Sequence, residues 1–515
     1  MKTMNQNGLI PRPQLPNRQL LFITLLVMAV ASSPLVAQAE QGKRTMTFLG
    51  ERGTLAASAP VQAPRGAFVK PHLPTMDFDE YAYLKAAANA SISTSAARLG
   101  SALESGSTSI LNFSFLGKDR LGSADQGFIY APPDVNTAMG LGQIVEVTNN
   151  HFTCFDTTGT VLQDTPMSVF FGYTGQLLTD PRVVYDHIWN RFIVTEVGFS
   201  ENPTTQFFFI AASTSSDCTG SFNVYRVNMP LAPGDFYDYP QTGYDQDALI
   251  FTFNVFNGPF KYAEVDMVAK AAVYNGRGIS MSFFNGLPGT LTPNLVRDGN
   301  GTTVLIRNAP GTANVQLIKL ANTSRNNPSF TGPFNVNTGF TCQVPANASQ
   351  PGTVAVLDTL DSRFQAPGTQ IGNSLYQTQT CGPGLPTPRV VQIDIAANTL
   401  TRQDFVSGTA SSFDFNPSVA ANDIGDALVN WSSTDPSAGN NAATLFSSKL
   451  MGANFGPLGS CFQSPTFSTA FRWGDTSAAS VDPTDPTQKT FLISNETIQD
   501  ASNWGTIVCS LTAAP

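Results

Sequence analysis

The sequence predicts an all-β protein assembled from one repeated unit of four short antiparallel strands. Three observations carry this. Charged residues are only 13% of the 515-residue chain, against 42 glycines and 35 prolines. Its polarity therefore lies in Ser, Thr, Asn and Gln, which suit sheets and turns better than long helices. From about residue 108 onward, short apolar-alternating runs are divided by turn signals, and helical periodicity does not return. A strand–turn lead-in also recurs along the chain at a period of about 59 residues.

Taken in order, the chain divides into three parts. Residues 1–39 read as an export leader. Lys2, Arg12 and Arg18 make a basic start, LLFITLLVMAVA (20–31) is a short apolar core, and AQA (37–39) offers small residues for cleavage before Glu40. The apolar run is shorter than the roughly 20 residues that a membrane span needs. Loss of the leader removes three cations and no acids, so the net charge of −9 becomes about −12. That balance, without a basic face, argues against a nucleic-acid binder. The mature protein is expected to be soluble and periplasmic or secreted, and a monomer. Residues 40–107 are rich in Ala, Ser and Pro and read as a pro-region or partly disordered spacer. One helix is expected there, over DEYAYLKAAANA (79–90).

Residues 108–515 hold the repeats. In DPRVVYDHIWNRFIVTEVGF, strands are expected at 182–185 and 191–197 around a turn at 186–190, with two more at 206–212 and 223–227. DYPQTGYDQDALIFTFNVF (238–256), NPSVAANDIGDALVNW (416–431) and the stretch from Asp475 to TFLIS repeat this lead-in, and PPDVNTAMGLGQIVEV (132–147) is an earlier copy. Anchors at 134, 180, 238, 416 and 475 are spaced by 46, 58, 178 and 59 residues. The long gap takes three steps, with TQIGNSLYQTQT (369–380) as a degenerate copy and another near 300. Seven four-stranded units at this period predict a seven-bladed β-propeller. The last unit runs out after three strands, and SILNFSF (109–115) is an orphan expected to complete it. A pair of β-sandwiches is the competing architecture, but it leaves the repeated acid–Pro lead-in without a reason.

Six cysteines, Cys154, Cys218, Cys342, Cys381, Cys461 and Cys509, remain after export. An even number in an oxidising compartment predicts up to three disulfides. Six cysteines allow 15 pairings; pairing of neighbours, 154–218, 342–381 and 461–509, is the expectation.

PPDVNTAMG, DYPQTGYDQDALIFTFN, LDTLDSRF, GNSLYQTQT, NPSVAANDIGDALVNWS and RWGDTSAASVDPTDPTQKTF, in this order and spacing across roughly 120–511, resemble a large set of secreted bacterial propellers. Members are labelled sialidase-like or BNR/Asp-box-like, and most have no established activity. The resemblance implies the fold more than a reaction. It departs from the pattern at Thr476, where an aromatic is usual, and a full Asp-box is absent: Ser480, Asp482, Thr490 and Phe491 fit only with an insertion.

The chemistry available is narrow. Three histidines, His72, His151 and His187, and the absence of HExxH, GxSxG, GxGxxG and Walker patterns leave little for a zinc site, a serine triad or a nucleotide fold. Carboxylates remain. Asp134, Asp180, Asp238 and Asp475 begin their units at corresponding points, with Asn416 in one, and would share one rim. They could cap their own turns, hold a cation such as Ca2+ through oxygen ligands, or supply an acid/base pair. Repetition favours the structural role. Asp475, Asp180 and Asp238 are the catalytic candidates. Arg472 and Trp473 are not repeated, and with Asp134 they are the candidate ligand-binding residues, a guanidinium for a carboxylate and an indole for a sugar face. No cofactor is expected. The leading expectation is a non-catalytic module binding a glycan or an extracellular protein; the alternative is a sialidase-like glycoside hydrolase or polysaccharide lyase using the rim carboxylates.

Overall fold

The computed structural model describes residues 39–53, 65–92, 107–199 and 202–515. The residues read as an export leader lie outside this set except for Ala39. Within it, strands dominate, and each repeat seen in the sequence becomes an antiparallel sheet.

Sheet 1 runs Asn136–Met139, Gln143–Val147, His151–Asp156 and Val161–Pro166. Sheet 2 runs Leu178–Asp186, Arg191–Gly198, Phe207–Ser213 and Phe222–Asn228, within a residue or a few of the strands expected there. Sheet 3 holds Phe236–Tyr244, Ala248–Phe256, Phe260–Ala269 and Ile279–Leu287. Sheet 4 holds Thr303–Asn308, Asn314–Ala321 and Ser329–Asn337, led by the short Asn294–Val296. Sheet 5 contains Gly368–Ile371, Ser374–Cys381, Thr387–Asp394 and Thr399–Phe405. Sheet 6 contains Phe413–Ala421, Ala427–Asp435, Asn440–Lys449 and Gly459–Gln463. Sheet 7 has Ala478–Val481, Thr490–Asp500 and Asn503–Ala514.

These strands are apolar on both faces because both faces are covered. Ala248–Phe256 is buried throughout. Side chains alternate across a strand. Leu249, Phe251, Phe253 and Val255 join a core with Ile193, Phe208 and Tyr225 of sheet 2, while Ala248 and Ile250 join Leu305 and Ile318 of sheet 4. The same happens from sheet to sheet. Phe152 packs with Phe209 and Phe222, Ile306 with Val391, Tyr376 with Trp431, and Phe446 with Phe491. Met139, Ile144 and Phe155 of sheet 1 share a cluster with Leu492 and Val508 of sheet 7. The first strand of each sheet also neighbours the first strand of the next, and Ala478–Val481 neighbours Asn136–Met139.

Residues 40–107 contribute elements of their own. β1 (Gln41–Arg52) lies between the outer strands of sheets 2 and 3, pairing antiparallel with both. β2 (Gly66–Val69) is followed by α1 (Phe78–Ser91), the helix expected over 79–90. Asp77 caps it by accepting from the Asp79 and Glu80 amides. β3 (Thr108–Asp119), which contains the orphan SILNFSF, pairs with Asn503–Ala514 and gives sheet 7 its fourth strand. β4 (Phe128–Ala131) pairs in parallel with β2. The disulfides are Cys154–Cys218, Cys342–Cys381 and Cys461–Cys509, the neighbour pairing. Among the described residues no helix is long and apolar enough to cross a membrane.

Candidate functional site

The repeated acid–Pro lead-in is a β-bulge. Asp180, Tyr239 and Asn416, each just before a proline, have φ of 58°, 56° and 50°. Proline cannot donate to a ladder and is confined in sheets to edges and bulges, and the register of these strands shifts at this point. Left-handed φ is costly for residues other than glycine, so surrounding bonds must hold it. The bulge also corrects one sequence alignment. The residue of sheet 3 matching Asp180 is Tyr239, and Asp238 stands one position earlier.

Side chains of these lead-ins bond one another in a belt. Asp134 accepts from the Asp475 amide and from Asn149 Nδ2, both at 2.8 Å. Asn149 accepts from the Asp180 amide at 2.7 Å, and Asp180 from the Tyr239 amide at 3.2 Å. Tyr239 donates to Gln365 O at 3.3 Å, Gln365 Nε2 to Asn416 at 2.6 Å, and Asn416 Nδ2 to Gly474 O at 2.8 Å. The Gly474 amide donates to Glu496 at 2.5 Å. The repeated polar residues thus satisfy backbone groups that the bulges take out of the ladders.

The belt is plugged by the chain's own N-terminal segment. Lys70, directly after β2 and 2% exposed, places its ammonium between Asp180 and Asp238, 3.0 Å from the latter. Burial opposes its charge, but Asp180, Asp238, Asp134 and Asp475 outweigh that and raise its pKa above the ordinary lysine value. Lys85 of α1 donates to Thr359 Oγ1 at 2.8 Å and to Leu360 O at 2.5 Å. Burial, with Arg363 and Arg472 beside it and Asp358 opposing, pulls His72 down to about 4, so this histidine is neutral at pH 7. Burial together with Asp475 and Asp180 pushes Asp134 up to about 7 against the pull of Lys70 and Arg472.

The residues expected to bind ligand are spent inside this assembly. Arg472 bonds Asp475 at 2.5 Å, Asp358 at 2.7 Å and Lys70 O at 3.0 Å. It fastens the plug and is buried. Trp473 is 1% exposed, donates to Ser432 Oγ at 3.0 Å and packs against Phe415. It has no face for a sugar, because it fills the core beside the belt. Asp134, Asp180, Asp238 and Asp475 are likewise buried. The cation held by Asp180 and Asp238 is Lys70, and among the described residues no three of His, Cys, Asp and Glu are grouped as metal ligands. The sequence carried no mark of Lys70, which stands in no motif and no repeat.

A second site lies at the other ends of the same strands. The first strands of the sheets line a channel whose wall includes Asn136, Thr137, Arg182, Tyr185, His187, Thr242, Tyr244, Arg297, Thr369 and Ser477. Its volume is about 50 Å³. Asp180 and His187 are seven residues apart along one strand and its turn, so belt and channel mouth lie about 20 Å apart. In the belt, Tyr239 has the guanidinium carbons of Arg182 and Arg363 5.7 and 4.6 Å from its ring centre. At the mouth, His187 Nε2 is 3.1 Å from Arg297 O and Nδ1 is 3.3 Å from the Tyr244 hydroxyl. Arg297 Nε donates to Asp423 at 2.6 Å. Burial and the Arg297 charge lower the His187 pKa.

No family model matches the sequence, and no curated protein matches it. Solved structures are similar at low identity. A DUF4623 family protein from Bacteroides eggerthii shares 8% identity at a TM-score of 0.34, covering 80% of this chain and 78% of that one. The exo-β-1,3-galactanase of Phanerochaete chrysosporium shares 11% at 0.32, covering 79% and 99%. A sialidase variant from Trypanosoma rangeli shares 10% at 0.32, covering 70% and 57%.

Proposed function

We propose that this chain is a secreted seven-bladed β-propeller that binds a glycan at the mouth of its axial channel and does not cleave it. The observation that carries the reading is the state of the acids. Glycoside hydrolysis needs two carboxylates flanking an accessible bond, one of them protonated. Asp475 is paired with Arg472, and Asp180 and Asp238 with Lys70, all buried and at the far end of the strands from the mouth. A pair so neutralised is a fastening.

The propeller reading is supported by the cyclic order of neighbours among the first strands and by the cluster joining sheet 7 to sheet 1. β3 in sheet 7 fits closure by a strand from the N-terminal side. Three disulfides fit an oxidising compartment, outside the cytoplasm. The mouth offers polar groups around a concave opening, among them Thr137, Thr242 and Arg297, whose partner Asp423 is the more exposed of that ion pair.

A glycan array on the disulfide-bonded protein tests the reading. The expected result is binding that weakens at least about tenfold in Arg297→Ala, with the melting temperature unchanged. An array with no glycan bound by the unaltered protein overturns it, and capture of an extracellular protein at the mouth would replace the glycan with that partner.

A further inference from the structure

The wall of the channel carries cationic side chains and no acid. Arg182, Arg297 and His187 line it, and no Asp or Glu does. Arg297, at the mouth, is paired with Asp423 at 2.6 Å. His187 is hydrogen-bonded to the Arg297 carbonyl and the Tyr244 hydroxyl. Arg182 differs from both. It is 1% exposed and forms no ion pair among the described residues. The acid two residues before it, Asp180, is held by Lys70.

The bonds that Arg182 does make fix it without neutralising it. Its Nη1 donates to Pro181 O at 3.1 Å and to Thr476 Oγ1 at 3.3 Å. Thr476 belongs to the lead-in of sheet 7, so the side chain joins two sheets that both neighbour sheet 1. Its Nε finds no acceptor. A guanidinium does not lose its proton inside a protein. A buried charge without a partner is costly, and a buried N–H without an acceptor adds to that cost. Both costs fall when an anion stands against the free edge of the group.

The size of the channel says what kind of anion fits. Its volume of about 50 Å³ exceeds the about 10–15 Å³ that one water needs. It is far below the about 300–1,000 Å³ of pockets that enclose organic ligands. Asn136, Thr242, Thr369 and Ser477 in the same wall are uncharged. One positive charge is thus left for one negative charge.

We propose that the channel holds a small monovalent inorganic anion, of the size and charge of chloride, against the Arg182 guanidinium. The proposal does not rest on the glycan reading of the mouth. An empty glycan array leaves it standing, and an empty channel leaves that reading standing.

Bromide, a stand-in for chloride with an anomalous signal, tests it in crystals of the full disulfide-bonded protein. The expected result is an anomalous peak in the channel within hydrogen-bond distance of Arg182 Nε, absent in Arg182→Gln. In solution, melting temperatures are compared in sodium chloride and sodium gluconate at equal ionic strength, gluconate being too large to enter. Anything that binds only the folded state stabilises it, so the change from gluconate to chloride should raise the melting temperature of the unaltered protein by about 3 °C more than that of Arg182→Gln. Bromide found only at the surface is an adventitious ion only and overturns the proposal. A channel peak that persists in Arg182→Gln, or equal chloride effects on the two proteins, also overturns it. Should Arg182→Gln fail to fold, the bromide map of the unaltered protein decides alone.

Discussion

Lys70 is the residue whose removal should damage this protein most for its size. Lys70→Met keeps the aliphatic stem and deletes the ammonium held between Asp180 and Asp238. All three residues are buried, so water cannot replace the lost charge. Breaking a buried ion pair by removing one partner costs about 3–5 kcal/mol. With roughly 2–4 °C per kcal/mol for domains of 150–250 residues and less for larger ones, the melting temperature should fall on the order of 5–10 °C at pH 7.5. The sign of the pH dependence follows. Without the ammonium, the two carboxylates have folded-state pKa values above their unfolded ones. The penalty is then fully present above the folded-state values and absent below the unfolded value of about 4. Scanning calorimetry at pH 7.5 and pH 5 should show the gap to the unaltered protein narrowing at the lower pH. Lys43→Met, at an exposed position of β1, is the control and should shift little. A Lys70→Met melt within 1 °C of the unaltered protein at pH 7.5, or a gap that widens on acidification, would refute the plug as an electrostatic fastening.

Glu146 is buried, and that burial pushes its pKa up to about 7. Its charge is therefore a liability that grows above the unfolded value and is complete above about 7; Glu146→Gln, which keeps an acceptor for the Lys118 amide, should stabilise by about 3 kcal/mol at pH 8 and by nothing near pH 4, as read from denaturant melts at both values. Replacing Cys342 and Cys381 together by serine opens a loop with a sequence separation of 39 residues and should cost about 4 kcal/mol in the chain-entropy account, visible as a lower urea midpoint. Non-reducing peptide mapping should return 154–218, 342–381 and 461–509 and no cross-pair. Deleting residues 107–119 should leave Asn503–Ala514 as an unpaired edge and uncover the cluster that takes Phe113 and Phe115; such edges recruit other chains, so size-exclusion chromatography should show aggregates.

The repeat was legible because a strand buried on both faces writes itself as an apolar run between turns. ALIFTFNVF and TFLIS announce sheets 3 and 7 for that reason. The neighbour pairing of cysteines and the strand at 109–115 were legible for a related reason: each supplies what a repeat lacks. The role of the acids was half legible. Their recurrence pointed to structure, but the one-residue offset between Asp238 and Tyr239 depends on a bulge, which spacing alone does not display. Lys70 was invisible, since a single cation between a short strand and a proline belongs to no repeat or periodicity that would mark it. Trp473, which stands between charges in the sequence, is buried against Phe415 in the structure.

The most direct test of the whole account is a fluorogenic glycoside panel run on the disulfide-bonded protein alongside Asp475→Asn. The account holds that Asp475 secures Arg472 and the plug and takes no part in a reaction. It predicts no turnover above background in either protein, with Asp475→Asn showing only a lower melting temperature. Turnover by the unaltered protein that vanishes in Asp475→Asn while the melting temperature stays the same would contradict it.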